Sequence, residues 1–91
     1  MMPIILYSPV FQKEFKKLPD ILRQIAKKRL ALFLQNPFHS SLRSHKLEGK
    51  LQGLFAFSID YDHRVLFEIV AQNTIRLLRI GNHSLYRKKK K

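Results

Sequence analysis

The sequence predicts a small α+β domain with the element order β-α-α-β-β-β, in which a two-helix hairpin packs on one face of a small, mainly antiparallel sheet. Three observations support this prediction. Residues 54–69 have the pattern of a β-hairpin, two amphipathic stretches precede them, and one short strand-like run stands on either side of these elements. A right-handed crossover through the helices would bring the first strand beside one of the last three and leave one face of the sheet open.

The hairpin is predicted from the sequence LFAFSIDYDHRVLFEI of residues 54–69. Its first half alternates between apolar and small or polar residues, which is the period-two pattern of a half-buried strand. Its second half is almost entirely apolar and rich in strand-forming residues, as is typical of a strand covered on much of both faces. Tyr61, Asp62 and His63 are predicted to form the reversal, so that Arg64 begins the second strand.

The elements around the hairpin have clear start and stop signals. A short apolar strand, PIILY, ends at Ser8, whose hydroxyl can cap a helix that begins with a proline. A Pro-Asp pair at 19–20 ends this helix and begins a second one, which an Asn-Pro pair at 36–37 stops. Residues 38–53 have no clear period and predict a loop, whereas residues 74–80 predict the third strand of a meander.

Composition limits the protein to one domain, which we assign to residues 1–91 with a basic tail at 87–91. The chain has no cysteine, so neither a disulfide framework nor a thiolate metal site can form. Its first residues lack the basic flank and cleavage site of a signal peptide, and no apolar run approaches the length of a membrane span. We therefore expect a cytoplasmic protein that does not bind membranes.

The net charge of +12 predicts a polyanionic partner, either a nucleic acid or an acidic protein segment. Five of the eighteen cations lie in the tail, and the remaining thirteen still outnumber the six acids. On the second helix the cations form a ridge that we interpret as a solvated surface, although it could contact a phosphate backbone without reading sequence. This ridge consists of Arg23, Lys27, Lys28 and Arg29.

Three segments give the chain a resemblance to a known family. They are HKLEGKLQG at 45–53, DHRVLFEI at 62–69 and RIGNHSLYR at 79–87. With these segments in this order, the chain resembles the RelE/ParE superfamily of bacterial type II toxin–antitoxin toxins, and it is most similar to the RelE-type messenger-RNA interferases. The resemblance extends over essentially the whole chain and implies a cognate antitoxin protein as partner.

The resemblance implies a cofactor-free and metal-independent endoribonuclease that cleaves mRNA, commonly in the ribosomal A site. In that reaction the 2′-hydroxyl attacks the adjacent phosphate and the 5′-oxygen leaves, which requires a base, an acid and cations around the phosphate. By resemblance, His45 lies at the position of the base and Arg64 at that of the phosphate-binding arginine. His83 lies where the family supplies a group to the leaving oxygen, and Tyr86 near its terminal aromatic residue, which orients or stacks on the substrate.

Further polar residues near these positions are candidates for RNA or phosphate binding, namely Lys46, Lys50, Ser58 and Arg79. The chain departs from some RelE-type toxins because it lacks their two lysines on the first strand of the hairpin. The spacing from the terminal histidine to Tyr86 is also one residue shorter than in the common form of the family.

Several alternatives remain open. Arg64 could form a structural salt bridge with Asp60, Asp62 or Glu68. The histidines at 39 and 63 are interpreted as surface residues, and no metal site is predicted because carboxylates are few and no His-x-x-x-His pair occurs. The chain as a whole could instead be a ParE-like inhibitor of DNA gyrase without nuclease activity, or a catalytically inactive homologue that only binds an antitoxin.

Overall fold

The computed structural model describes residues 2–86, which form two helices on one face of a five-stranded sheet. The helices are α1 (Pro9–Lys16) and α2 (Asp20–Gln35). The strands are β1 (Ile4–Tyr7), β2 (His45–Lys46), β3 (Phe55–Ser58), β4 (His63–Ala71) and β5 (Thr74–Asn82). Their order in the sheet is β1-β5-β4-β3-β2. β1 is parallel to β5, and the other pairs are antiparallel. Two helices with a mainly antiparallel sheet confirm the predicted α+β fold.

One strand and three short 3₁₀ turns were not predicted. The expected loop at 38–53 contains β2, which pairs with β3 at the edge of the sheet, and two turns at Ser40–Leu42 and Gly49–Leu51. A strand of two residues is too short to produce a periodic pattern, and it forms here because β3 offers it an unpaired edge. The third turn, His83–Tyr86, follows β5 directly.

The hydrophobic core lies between the helices and the face of the sheet that they cover. Phe33 of α2 stacks on Phe57 with ring centroids 4.4 Å apart, and it meets the edge of Phe67 at 5.0 Å. Aromatic contacts of this kind add about 0.5–1.5 kcal/mol to the effect of burial alone. No helix within residues 2–86 is both long enough and apolar enough to cross a membrane.

Helix α1 is fixed to β5 at its first turn. The Ser8 hydroxyl accepts a hydrogen bond from the Phe11 N–H at 3.0 Å, as its position before a proline predicts, and it donates to the Leu78 carbonyl at 3.0 Å. One side chain therefore caps the helix and ties it to the sheet.

The opposite end of α1 meets the part of β5 that extends beyond β1. Glu14 accepts hydrogen bonds from Arg79 Nε and Nη2 at 2.8 and 2.6 Å, and its second oxygen accepts from the Ile80 N–H at 3.0 Å. The Glu14 carboxylate thus accepts a hydrogen bond from an edge amide of β5 that has no neighbouring strand.

Replacement of the cap should destabilise the fold measurably. We expect Ser8→Ala to lower the free energy of unfolding by about 1–2 kcal/mol, because it leaves one helix amide and one carbonyl of β5 without their partner. Urea denaturation measures this loss. Ser40→Ala is the control, because Ser40 is exposed and its hydroxyl makes no hydrogen bond within the described residues. Equal losses in the two variants would contradict the role assigned to Ser8.

Candidate functional site

The register of the sheet identifies the residues on the face away from the helices. Residues directly opposite each other on neighbouring strands point to the same face. Ser58, Arg64 and Gly81 form one such row across β3, β4 and β5. Their face is the open one, because the residues that alternate with them, including Phe57 and Val65, lie in the core beneath the helices.

The next row on this open face begins with His45 on β2. It continues through Ala56 and Leu66, which are both buried, to Arg79, which is exposed. His45 and Arg64 therefore share a face, two strands and two residues apart, which corresponds to roughly 12 Å between their Cα atoms at standard sheet spacings. Lys46 pairs with Phe55 and so points to the opposite side of the sheet.

Main-chain carbonyls hold the guanidinium of Arg64. Its Nη1 donates to the carbonyl oxygens of Asp60 at 2.8 Å, His63 at 3.0 Å and Tyr61 at 3.3 Å. Nε and Nη2 have no hydrogen-bond acceptor within residues 2–86. Carbonyls are neutral, so the group is oriented while its charge stays available to an anion.

Two of the three carboxylates that could have paired with Arg64, those of Asp60 and Glu68, are bound by other groups. Glu68 accepts from Arg76 Nη1 at 2.9 Å, and Asp60 pairs with the ring of His63 at 3.0 Å. No carboxylate among residues 2–86 forms a salt bridge with Arg64. The salt bridge that the sequence offered as an alternative role for Arg64 is therefore not formed.

The turn that carries these carbonyls is organised by Asp60. Its Oδ1 accepts from the N–H groups of Asp62 at 2.9 Å and His63 at 2.8 Å as well as from the ring of His63. His63, interpreted from sequence as a surface residue, is in fact half-buried and part of this turn. Partial burial raises the pKa of the Asp60 carboxyl, but these hydrogen bonds outweigh that effect and hold its pKa below the ordinary 3.8.

His45 is exposed and its ring has a defined orientation. Nδ1 lies 2.9 Å from the carbonyl oxygen of Arg43. A carbonyl can only accept, so in the neutral ring the proton is on Nδ1 and the lone pair is on Nε2. The ring therefore presents a nitrogen that can take up a proton.

The other predicted binding residues are distributed around the sheet. Ser58 is half-buried beside Arg64, and Lys50 is exposed on the second 3₁₀ turn. The guanidinium of Arg79 is bound by Glu14, which raises the pKa of Arg79 and compensates its charge in this structure.

The backbone of His83 and Tyr86 belongs to the last 3₁₀ turn, whereas their side chains lie outside the part of the molecule that the structure describes. The position of this turn is fixed by Leu85. A Cβ added to Gly81 would lie 3.1 Å from Leu85 Cδ2, so the turn folds back over Gly81, the neighbour of Arg64 in its row. The chain thus returns across the open face next to Arg64.

A cavity of about 470 Å³ adjoins Arg64 at the end of β3. It is lined by Arg29, Ser41, Arg43, Ser58, Ile59, Asp60, Tyr61 and Arg64. The sequence placed Arg29 in a basic ridge that could contact a phosphate backbone, but it did not place Arg29 or Arg43 beside Arg64. Only the packing of α2 and the first 3₁₀ turn beside the hairpin brings them there.

Structures of bacterial toxins have the same fold. YafQ from E. coli strain BL21(DE3) is 20% identical, with a TM-score of 0.76 over 93% of this chain and 99% of its own. A chain of the E. coli DinJ–YafQ toxin–antitoxin complex is 19% identical, with a TM-score of 0.73 over 94% of this chain and 98% of its own. A chain of the YoeB dimer from Staphylococcus aureus is 18% identical, with a TM-score of 0.70 over 91% of this chain and 99% of its own. No curated protein sequence matches the chain.

The fold is therefore that of the toxins of bacterial toxin–antitoxin systems. Residues 5–85 match the family model described as the ParE toxin of the type II toxin–antitoxin system parDE. The chain belongs to this family, within the RelE/ParE superfamily, and the predicted family membership is confirmed.

The charge of Asp60 should stabilise the protein in a pH-dependent way. Asp60→Asn keeps an oxygen that accepts from the turn amides but removes the negative charge. Because the folded-state pKa lies below the unfolded-state value near 3.8, the carboxylate contributes stability above that value and loses it as pH falls through the folded-state pKa. We expect wild type to exceed Asp60→Asn in unfolding free energy at about pH 7, and the difference to shrink as pH falls below the unfolded-state value and through the folded-state pKa. A pH-independent difference in urea denaturation would contradict this role.

Proposed function

We propose that this toxin is a metal-independent endoribonuclease that cleaves mRNA on the ribosome. The observation that carries the proposal is the state of Arg64, which is oriented on the open face by three carbonyls and has no carboxylate partner among the described residues. A guanidinium held in this way suits a phosphate whose negative charge increases during the reaction, because no reorganisation is needed when that charge develops.

The chemistry follows the scheme that the resemblance to RelE-type toxins implies. Nε2 of His45 removes the proton from the 2′-hydroxyl, and the resulting oxygen attacks the adjacent phosphorus. Arg64 binds the phosphate oxygens, and His83 protonates the 5′-oxygen as the bond to phosphorus breaks. Tyr86 orients the substrate by stacking. The products are a 2′,3′-cyclic phosphate and a free 5′-hydroxyl.

The remaining basic residues contribute to RNA affinity in this proposal. Lys50 neutralises phosphates near the edge strand, and Ser58 donates a hydrogen bond beside Arg64. Lys46 points to the other face of the sheet, so it contacts only RNA that passes around the edge strand. Arg79 becomes a phosphate ligand if RNA displaces Glu14. In toxin–antitoxin complexes such as DinJ–YafQ the toxin has a protein partner. We propose that a cognate antitoxin neutralises this toxin by covering the open face or by displacing the turn at His83–Tyr86.

A second candidate function is inhibition of DNA gyrase without RNA cleavage. It is favoured by the family match, since the matching model is that of a ParE toxin. The absence of the two lysines found in some RelE-type toxins supports a third, catalytically inactive form. The arrangement of His45 and Arg64 on one face favours the nuclease over both.

Removal of the Arg64 charge should reduce cleavage much more than it reduces stability. We expect Arg64→Gln to lower the rate of RNA cleavage by about 10²–10³-fold, which is the cost of losing one preorganised group that stabilises the transition state. Arg64→Lys should restore part of the activity. Cleavage of a labelled mRNA by purified toxin on ribosomes provides the measurement.

Arg76→Gln is the matched control, because it changes the net charge equally but removes an arginine whose charge Glu68 already compensates. Its cleavage rate should stay within about threefold of wild type. If Arg64→Gln cleaves as fast as Arg76→Gln, the proposed site is wrong.

Acid–base catalysis by two histidines predicts that the cleavage rate depends on pH. If His45 acts as base and His83 as acid, the cleavage rate should rise and then fall with increasing pH. His45→Gln should remove the rise on the acidic side and His83→Gln the fall on the basic side. A rate that does not change between about pH 5 and pH 9 would exclude this pair.

A further inference from the structure

The arginines of the described residues divide into two groups according to their partners. Three of them form a salt bridge with a carboxylate: Arg23 with Asp20, Arg76 with Glu68, and Arg79 with Glu14. The other three are Arg29, Arg43 and Arg64, and none of these pairs with a carboxylate within residues 2–86. All three line the same cavity of about 470 Å³, which we name the three-arginine cleft.

The cleft exists because β2 is short. β2 pairs only with Phe55 and Ala56, so the edge of β3 at Ser58 has no neighbouring strand. Arg29 reaches this edge from α2, where its Nε donates to the Ser58 carbonyl at 3.4 Å and its Nη2 donates to the Ser41 carbonyl. The space between α2, the first 3₁₀ turn and the β3–β4 turn stays open.

Two of the three guanidinium groups are oriented before any ligand binds. Carbonyl oxygens hold Arg29 as they hold Arg64, so both groups keep their full charge. Arg43 ends the first 3₁₀ turn with a positive φ of 56° and has an exposed side chain. The Asp60 carboxylate also lines the cleft, but it is engaged by two main-chain amides and the ring of His63.

Tyr61 stands at the rim of the cleft with 96% of its surface exposed. An aromatic ring exposed to this degree contributes little to folding, and its position at the tip of the β3–β4 turn leaves both ring faces accessible. Basic grooves bordered by exposed aromatic rings are typical of proteins that bind single-stranded nucleic acids, because the bases stack on the rings while the cations follow the backbone.

We infer that the three-arginine cleft binds the backbone of single-stranded RNA, with a phosphate between Arg29 and Arg43 and the neighbouring base stacked on Tyr61. This inference rests on the proposed function in taking RNA as the ligand. Arg64 lies at the boundary between the open face and the cleft, so an RNA strand bound at Arg64 continues into the cleft. Rigid, bidentate donors match phosphate oxygens in geometry as well as in charge.

The test is RNA binding measured without cleavage. The probe is a fluorescein-labelled single-stranded oligonucleotide with 2′-O-methyl riboses, which has no free 2′-hydroxyl, and binding is followed by anisotropy at several salt concentrations. We expect Arg43→Asn and Arg29→Gln each to weaken binding by about fivefold or more and to reduce the slope of log K against log salt by about 0.7. Asn accepts the left-handed conformation of residue 43 readily, so this variant preserves the turn.

Arg23→Gln is the matched control, because it removes one positive charge at an arginine that already pairs with Asp20. It should bind the oligonucleotide nearly as wild type does. Tyr61→Ala should weaken binding by about fivefold or more, whereas Tyr61→Phe should not, because stacking requires only the ring. Thermal denaturation of each variant confirms that it is folded.

The outcomes separate this inference from the proposed function. If Arg43→Asn and Arg29→Gln bind the oligonucleotide as Arg23→Gln does, the inference is overturned even when the wild type cleaves RNA. If the cleft variants lose only their affinity for the antitoxin, the cleft is a protein-binding site and the inference is equally overturned. Weakened RNA binding by the cleft variants supports the inference, including in the case that the wild type cleaves no RNA and the nuclease proposal fails.

Discussion

The orientation of Arg64 depends on the main-chain carbonyls of the turn between β3 and β4. That turn is fixed by the Asp60 carboxylate, which accepts from two backbone amides and one histidine ring. The sheet then determines what surrounds Arg64, because the register of β3, β4 and β5 places Ser58 and Gly81 beside it. The last turn passes close over this row at Gly81, where an added Cβ would lie 3.1 Å from Leu85 Cδ2. A chain of hydrogen bonds from one carboxylate thus leads to a positive charge presented on an open surface.

The six acidic residues are distributed unevenly among the eighteen cations, so that some arginines have a carboxylate partner and others do not. Glu14, Asp20 and Glu68 are each used to compensate an arginine outside the cleft. Glu14 also accepts a hydrogen bond from the Ile80 N–H at the edge of β5, so it stabilises the fold as well as compensating the charge of Arg79. The arginines around the cleft are held by neutral carbonyls instead. The positive potential is therefore concentrated at one end of the sheet, where it would attract a polyanion.

Most of the fold could be predicted because its signals are local. Ser8 caps α1 and the proline at 19 separates the helices, and both features depend on neighbours within a few residues. The edge strand at His45 could not be predicted, because two residues have no period and their pairing depends on β3. The partners of Arg64 could not be predicted either, since sequence shows nearby carboxylates but not the carbonyls of a turn. Arg29 joins the cleft only through the packing of α2 beside the hairpin.

We propose that this toxin arrests growth by cutting mRNA at a site that contains Arg64. The most direct test of this claim is primer extension on mRNA from cells that express the wild type or Arg64→Ala, with DNA supercoiling measured in the same cultures. Cuts in phase with codons that occur with the wild type and disappear with Arg64→Ala, while supercoiling stays normal, are the predicted result. Growth arrest without mRNA cuts but with disturbed supercoiling would contradict the claim and identify the protein as a gyrase inhibitor.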